Sequence, residues 1–172
     1  VESVRYEGYG PGGAAVLADC LTADRERTAN ELRSTFSRHG GYLGATGAVS
    51  YLFHEVGRMI FRAPLSPGLE ATTLETVAFD AEAEEVLFHA DGEIEVLTAP
   101  ADLERVRAAL LRRGFEASSN GLTLHSATVV PVRGAAAAML RDLLATLESH
   151  EDVQRVYSNA EISDALLARL PA

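Results

Sequence analysis

Between Gly8 and Gly13 the chain places four glycines and one proline in six residues. No helix or central strand accommodates such a run: glycine costs too much backbone entropy there, and proline lacks a donor. The stretch Tyr6-Glu7-Gly8-Tyr9-Gly10-Pro11-Gly12-Gly13 therefore predicts a tight, shaped loop. The apolar run Ala14 to Leu21 follows as a buried strand. A helix over about Ala23 to His39 comes next, capped by Thr22 or Asp24 and stopped by Gly40 of the Gly40-Gly41 pair. Glycines placed this way bring the backbone close to another part of the fold or to a ligand. The known phosphate motifs do not fit. A Walker loop needs Gly-Lys-Ser/Thr, and the chain has no lysine. A dinucleotide loop follows a strand and opens a helix, whereas this one precedes a strand. The residues favour a structural loop over a phosphate cradle.

Beyond the helix, Gly41 to Gly47 is a second glycine-rich loop. Ala48 to His54 reads as a strand with Val49, Tyr51 and Phe53 on one face, and Arg58 to Arg62 as the other arm of a hairpin. Pro64, Pro67 and Gly68 mark the best internal boundary. A helix from Thr72 or Thr73 to about Ala83 follows, then a hairpin, Glu85 to Ala90 and Glu93 to Thr98, turning at Asp91-Gly92 in the type I′ manner. Pro100 to Arg113 is a helix with Leu103, Val106, Leu110 and Leu111 inward and Gly114 beyond its end. Strand follows at Phe115 to Ser119 and, past Asn120-Gly121, at Leu122 to Val132. Ala135 to Ser149 is a helix with Met139, Leu143, Leu144 and Leu147 on its apolar side. Asp152 to Asn159 is a strand, and a short helix over about Ser163 to Leu170 ends at Pro171. This is the grammar of an α+β protein built as helix-on-sheet sandwiches.

A chain of 172 residues buries one good core or two small ones. No apolar run approaches the roughly 20 residues of a membrane span, and Val1 to Tyr9 is too polar for a secretory signal. The single cysteine, Cys20, forms no intramolecular disulfide, which fits a cytoplasmic or mitochondrial-matrix setting. The formal net charge is −10. Residues 1–62 are balanced, with 7 Arg and 7 acids, whereas residues 63–134 hold 5 Arg against 12 acids. The middle segment repels a phosphate backbone, and the first is free to present a local arginine face.

Little in the chain assembles an active site. The five histidines show no metal-ligand spacing, no Gly-x-Ser-x-Gly elbow occurs, and Cys20 has no basic neighbour in sequence. The carboxylates Glu82, Glu84 and Glu85 read as a solvated charge run. No catalytic, metal or cofactor residues are assigned. The remaining candidates form a binding surface: Tyr6, Gly8, Tyr9, Gly10, Gly12 and Gly13 of the loop, Arg25, Arg27, Arg33 and Arg38 of the first helix, and His39 and Tyr42 after it. Aromatics beside arginines and open glycine backbone suit stacked bases and phosphates. The same tyrosines also suit packing into a joint between modules, and the same arginines a solvated helix face.

Three blocks carry a resemblance: YEGYGPGGAAVLADCLT from Tyr6, RTANELRSTFSRHGGYLGATGAVSYLF from Arg27, and EDVQRVYSNAEIS from Glu151. They are similar to the YebC/PmpR family, over a stretch from Tyr6 to about Leu170. That family includes bacterial probable transcriptional regulators and the mitochondrial translational activator of cytochrome oxidase subunit I. The match is weakest from Leu65 to Ala83. The resemblance implies two small ferredoxin-like α/β sandwich modules, the second inserted into the first: residues 1–63 with 133–172, and residues 64–132 between them. Family members begin with a basic helical domain that is absent here, and the chain opens at Val1 without Met, so a fragment or processed form is expected. The resemblance implies a non-enzymatic regulator of gene expression: a DNA-binding transcriptional regulator, or alternatively a ribosome-associated translation factor. A ligand-sensing or protein-interaction module is a further alternative. The expected partner is nucleic acid, DNA or ribosomal RNA, gripped mainly by the N-terminal domain; no membrane is expected.

Overall fold

The computed structural model describes residues 1–162; the helix expected over Ser163 to Leu170 lies outside the described residues. Among the described residues the architecture is α+β, with two four-stranded sheets and four α-helices. The chain divides into two compact units, Val1–Phe53 with Ser126–Ala172, and His54–His125.

The first unit opens on a hairpin of β1 (Glu2–Tyr9) and β2 (Ala15–Thr22), paired antiparallel from Glu2↔Thr22 to Tyr9↔Ala15. The glycine-rich loop is therefore shorter than the composition predicts. Tyr6 to Tyr9 belong to β1, because Gly8 lies between two partners, Val16 of β2 and Leu43 of β3 (Tyr42–Leu43). A glycine interior to a strand is tolerated where another group approaches closely. A Cβ on Gly8 would stand 2.5 Å from the Tyr42 carbonyl oxygen and 2.8 Å from the Phe36 ring.

Helix α1 (Arg25–Arg38) joins β2 to β3 and is capped by Asp24, whose carboxylate accepts from the Arg27 amide at 3.1 Å. Gly40 leaves the helix at φ +75°. Helix α4 (Gly134–Ser149) leads into β9 (Val153–Ser158), which completes an antiparallel sheet in the order β3-β1-β2-β9. β8 (Val130–Val132) and β10 (Ala160–Ile162) form a separate parallel pair. Leu32 and Phe36 of α1 and Leu140, Leu143 and Leu147 of α4 pack on Val16, Ala18 and Cys20 of β2. The buried face of α4 is set by Ala137 and these leucines, while Met139 is 40% exposed.

The second unit runs β4 (Phe53–Phe61), α2 (Ala71–Asp80), β5 (Glu85–Phe88), β6 (Ile94–Thr98), α3 (Leu103–Arg112), β7 (Ser119–Ser126), with sheet order β5-β6-β4-β7. This is the split βαβ arrangement of ferredoxin-like units. The first unit reaches the same layered plan by another connectivity. Met59, Phe61, Ile94 and Val96 face Leu74, Val77, Val106 and Leu110 of the two helices.

Several local expectations fail here. Residues 48–52 are not strand but a turn and a short 3-10 segment, and β4 runs straight through Gly57 instead of reversing there. Gly57 pairs with Thr98, and its missing side chain lets Leu103 close in. Asn120-Gly121 likewise lies inside β7. The Asp91-Gly92 turn is not type I′, since only Gly92 has positive φ. The Gly92 amide donates to the His89 carbonyl, and the His89 amide to that of Glu93, giving a three-residue loop with a glycine bulge. Leu111, expected inward, is 47% exposed.

Candidate nucleic-acid interface

Strand geometry decides where the loop's tyrosines go. Successive residues of a strand face opposite sides of the sheet, so Tyr6 and Tyr9, three apart in β1, part company. Tyr6 packs on the helix side with the core, and its hydroxyl donates to the Arg25 carbonyl at 2.8 Å. Tyr9 faces the other side. Its ring lies 5.4 Å from that of Tyr42 at 37°, and its hydroxyl donates to the Ala48 carbonyl at 3.5 Å. Tyr42 is 60% exposed. The two tyrosines that flank the glycines are thus not one patch; the pair is Tyr9 with Tyr42.

Most of the glycines are consumed by internal contact. Gly8 admits Phe36, Gly10 admits Leu140 and Leu143, and Gly12 admits Val132. Gly41 stands against the Tyr9 carbonyl and Gly10, and Gly40 against Met139. Only Gly13 of the first loop, at φ +83°, opens to free space, as Gly47 does in the second. The first loop is closed by the Gly10 amide on the Ala14 carbonyl at 2.8 Å.

Glu7 is the residue that sequence reasoning missed. It is 3% exposed, yet its carboxylate has three donors: the amides of Gly47 (2.7 Å), Val49 (3.0 Å) and Ser50 (2.6 Å). Its own carbonyl accepts from Gly44 at 2.8 Å. The segment 44–50 is thereby laid against β1, with Ala45, Thr46 and Gly47 exposed. Burial pushes the Glu7 carboxyl up, but the three amides outweigh it and hold it below the ordinary carboxylate value. A lone carboxylate between Tyr6 and Gly8 was the available signal. Its meaning depends on pairing partners some 40 residues away.

The arginines of α1 divide by commitment. Arg25 pairs with Glu2 at 3.2 Å and Arg27 with Asp152 at 3.1 Å. Arg33 bonds the Asn30 side chain, and Arg38 the Ser34 carbonyl and the Thr35 hydroxyl. Two of the four candidate cations thus face solvent without a carboxylate partner among the described residues. His39 Nδ1 lies 2.7 Å from the Thr35 carbonyl, which makes it the donor.

Among the described residues one cluster has metal-like composition: Glu31, His150 and Asp152 bring ligand atoms within 4.8 Å of one another. His150 Nδ1 accepts the Asp152 amide at 3.1 Å, so the ring proton sits on Nε2, which donates to Glu31 at 2.5 Å. That tautomer leaves Nε2 no lone pair for a cation, and Asp152 is already held by Arg27 and Thr28. Cys20 is buried, and desolvation, with Asp152 and Asp19 nearby, pushes its thiol up to about 11, far from a thiolate nucleophile. Among the described residues no helix is long and apolar enough to cross a membrane.

The TACO1/YebC second and third domain model matches residues 1–160. A protein of Francisella philomiragia named probable transcriptional regulatory protein is 40% identical over 170 residues, covering 99% of this chain and 67% of the relative. A probable transcriptional regulatory protein of Ralstonia nicotianae is 43% identical over 163 residues, 95% of this chain and 66% of its own length. In structure, a conserved hypothetical protein of Aquifex aeolicus is similar at a TM-score of 0.76 and 35% identity, over 95% of this chain and 66% of that one.

Proposed function

Because the chain belongs to the TACO1/YebC family, we propose that it is a cytoplasmic, non-enzymatic regulator of gene expression that meets unpaired nucleic acid, RNA of the translation apparatus foremost, at the Tyr9–Tyr42 end of its first unit. One observation carries this reading: the exposed Tyr42 ring, packed at a tilt against Tyr9, whose hydroxyl reaches the Ala48 carbonyl next to the open backbone at Gly47. Stacking on aromatic rings is the common way to hold unpaired bases, and it tolerates sequence. Duplex DNA makes a different demand. It needs several cations along a backbone track, and this chain carries −10 overall with Arg25 and Arg27 tied to carboxylates.

A second reading follows from the relatives, which are named probable transcriptional regulatory proteins. In it DNA is the partner, and the third of their length that this chain does not span supplies the phosphate contacts. Two measurements separate the readings: co-sedimentation with ribosomes, and titration of single-stranded RNA and duplex DNA at two salt concentrations. Tyr42→Ala is expected to weaken RNA binding about tenfold, the effect of losing one stacked base, with the melting temperature unchanged. Salt-sensitive duplex binding with no affinity for ribosomes or unpaired RNA overturns the first reading and leaves the second.

A further inference from the structure

Among the described residues, the two helices of the first unit, α1 and α4, lie on one face of the sheet, and the other face holds a groove of about 570 Å³. Its floor follows from the register. Arg5 pairs with Asp19 across β1 and β2, and Asp19 with Arg155 across β2 and β9, so the three side chains form one row. Tyr157 stands two residues beyond Arg155 on the same face, and Leu21, 43% exposed, borders the row on the other side. Asp19 is spent on Arg5 in a two-point contact at 2.7 and 3.0 Å. Arg155 is exposed and has no hydrogen bond or ion pair to any described residue. The floor therefore carries a surplus positive charge on a chain of net charge −10.

We infer that this open sheet face is a second binding surface, for a single strand of RNA whose phosphate meets Arg155 and whose base stacks on Tyr157. The backbone groups of a sheet interior are used up in the ladder, so a peptide strand laid on this face finds no amide partners. Recognition falls to side chains, and a guanidinium beside a phenol ring suits the phosphate and base of a nucleotide. The row crosses three strands, about 10 Å, which admits a single strand and not a duplex. The inference rests on the RNA-binding reading above but uses a different set of residues.

The test is fluorescence anisotropy of a labelled oligouridylate with the whole chain and four variants. Arg155→Glu is expected to weaken binding at least tenfold and to lower the salt slope by about 0.7, the share of one single-strand phosphate. Tyr157→Ala is expected to weaken binding about tenfold. Tyr157→Phe, which keeps the ring, binds like the parent and separates stacking from any loss of folding. Undiminished binding by Arg155→Glu and Tyr157→Ala, with Tyr42→Ala weakened, overturns the sheet-face surface and leaves the Tyr9–Tyr42 reading intact. Absence of RNA binding by the parent chain overturns both. Displacement of the RNA by an equal concentration of polyglutamate, at the parent's Arg155 and not in Arg155→Glu, assigns the face to an acidic peptide and overturns the inference.

Discussion

The two units solve the same problem, helices on a four-stranded sheet, with different materials. The second uses ordinary ones: Met59, Phe61, Ile94 and Val96 against Leu74, Val106 and Leu110. Within its strands Gly57 alone makes room for a neighbour, Leu103, while Gly121 meets nothing within 4 Å. The first replaces side chains by backbone at its loop end. Gly8, Gly10, Gly12 and Gly41 each leave a space that a neighbour fills, and one buried carboxylate organises the adjoining segment. An apolar core tolerates exchange among residues of similar volume. A contact made through a missing Cβ tolerates none. The end of the molecule that presents Tyr42 is thus also the end with least freedom to vary, and rigid support is what a binding surface needs.

The comparison breaks most sharply at its glycines. Gly8→Val drives a branched side chain into Phe36 and the Tyr42 carbonyl, and is expected to cost about 3 kcal/mol, the upper range for overpacking. Gly121→Ala in the second unit is expected to stay within about 0.5 kcal/mol. Urea unfolding of both variants checks the contrast, and equal losses would dissolve it.

Glu7 is the next lever. Glu7→Gln leaves one carbonyl oxygen for three amides, and a loss of about 2 kcal/mol is expected for stranding buried donors. Hydrogen exchange at Gly47, Val49 and Ser50 reads it directly. The same residue sets a pH dependence. Its folded carboxyl lies below the ordinary 4.5, so its contribution is complete above that value and is lost as pH falls through the folded value. Exchange at these three amides is expected to accelerate in that acid window in the parent and to lack the step in Glu7→Gln.

The smallest effect belongs to the second unit. Glu82 is the only described non-glycine residue with positive φ, at +74°. It ends α2 in the position that glycine usually fills, with the Glu82 and Ala83 amides on the Phe79 and Ala78 carbonyls. Glu82→Gly is expected to stabilise the chain by up to about 1 kcal/mol by removing that strain, less the loss of an exposed contact to Arg105 at 3.6 Å. A rise of a few degrees in melting temperature is the readout.

Much of this fold was legible in the residues. The four helices stand about where the residues place them, and in α1 Leu32 and Phe36 face the core and Asp24 is the cap; α2, however, starts at Ala71 without a Thr72 or Thr73 cap, and Leu111 and Met139, expected inward, are exposed. The strands were harder because glycine marks turns and close contacts alike. At Gly40 and Gly92 it marks a turn; at Gly8, Gly57 and Gly121 it sits inside a strand. Local reading has no means to separate these cases, since the deciding atoms belong to Phe36 and Leu103. The candidate interface was legible in part. Tyr9 and Tyr42 were among the residues singled out, but Tyr6 was grouped with them because a loop has no faces, and β1 does. Glu7 and the row of Arg5, Asp19 and Arg155 were not visible, because each depends on a register set between distant strands.

The pairing of β2 with β9 has a consequence in time. Val16 lies beside Ser158, and the Asn159 side chain accepts the Ala15 amide across 144 positions of chain. The second unit, by contrast, is one unbroken segment, His54–His125. As the chain leaves the ribosome from its N-terminus, the later-numbered unit has all its strands first. The hairpin that carries the glycines waits, its β2 edge unpaired, until residue 158 emerges. Contacts this distant in sequence are slow to close, and an unpaired edge is an invitation to other chains. The glycine-rich hairpin is thus made before the second unit and is among the last parts to be finished.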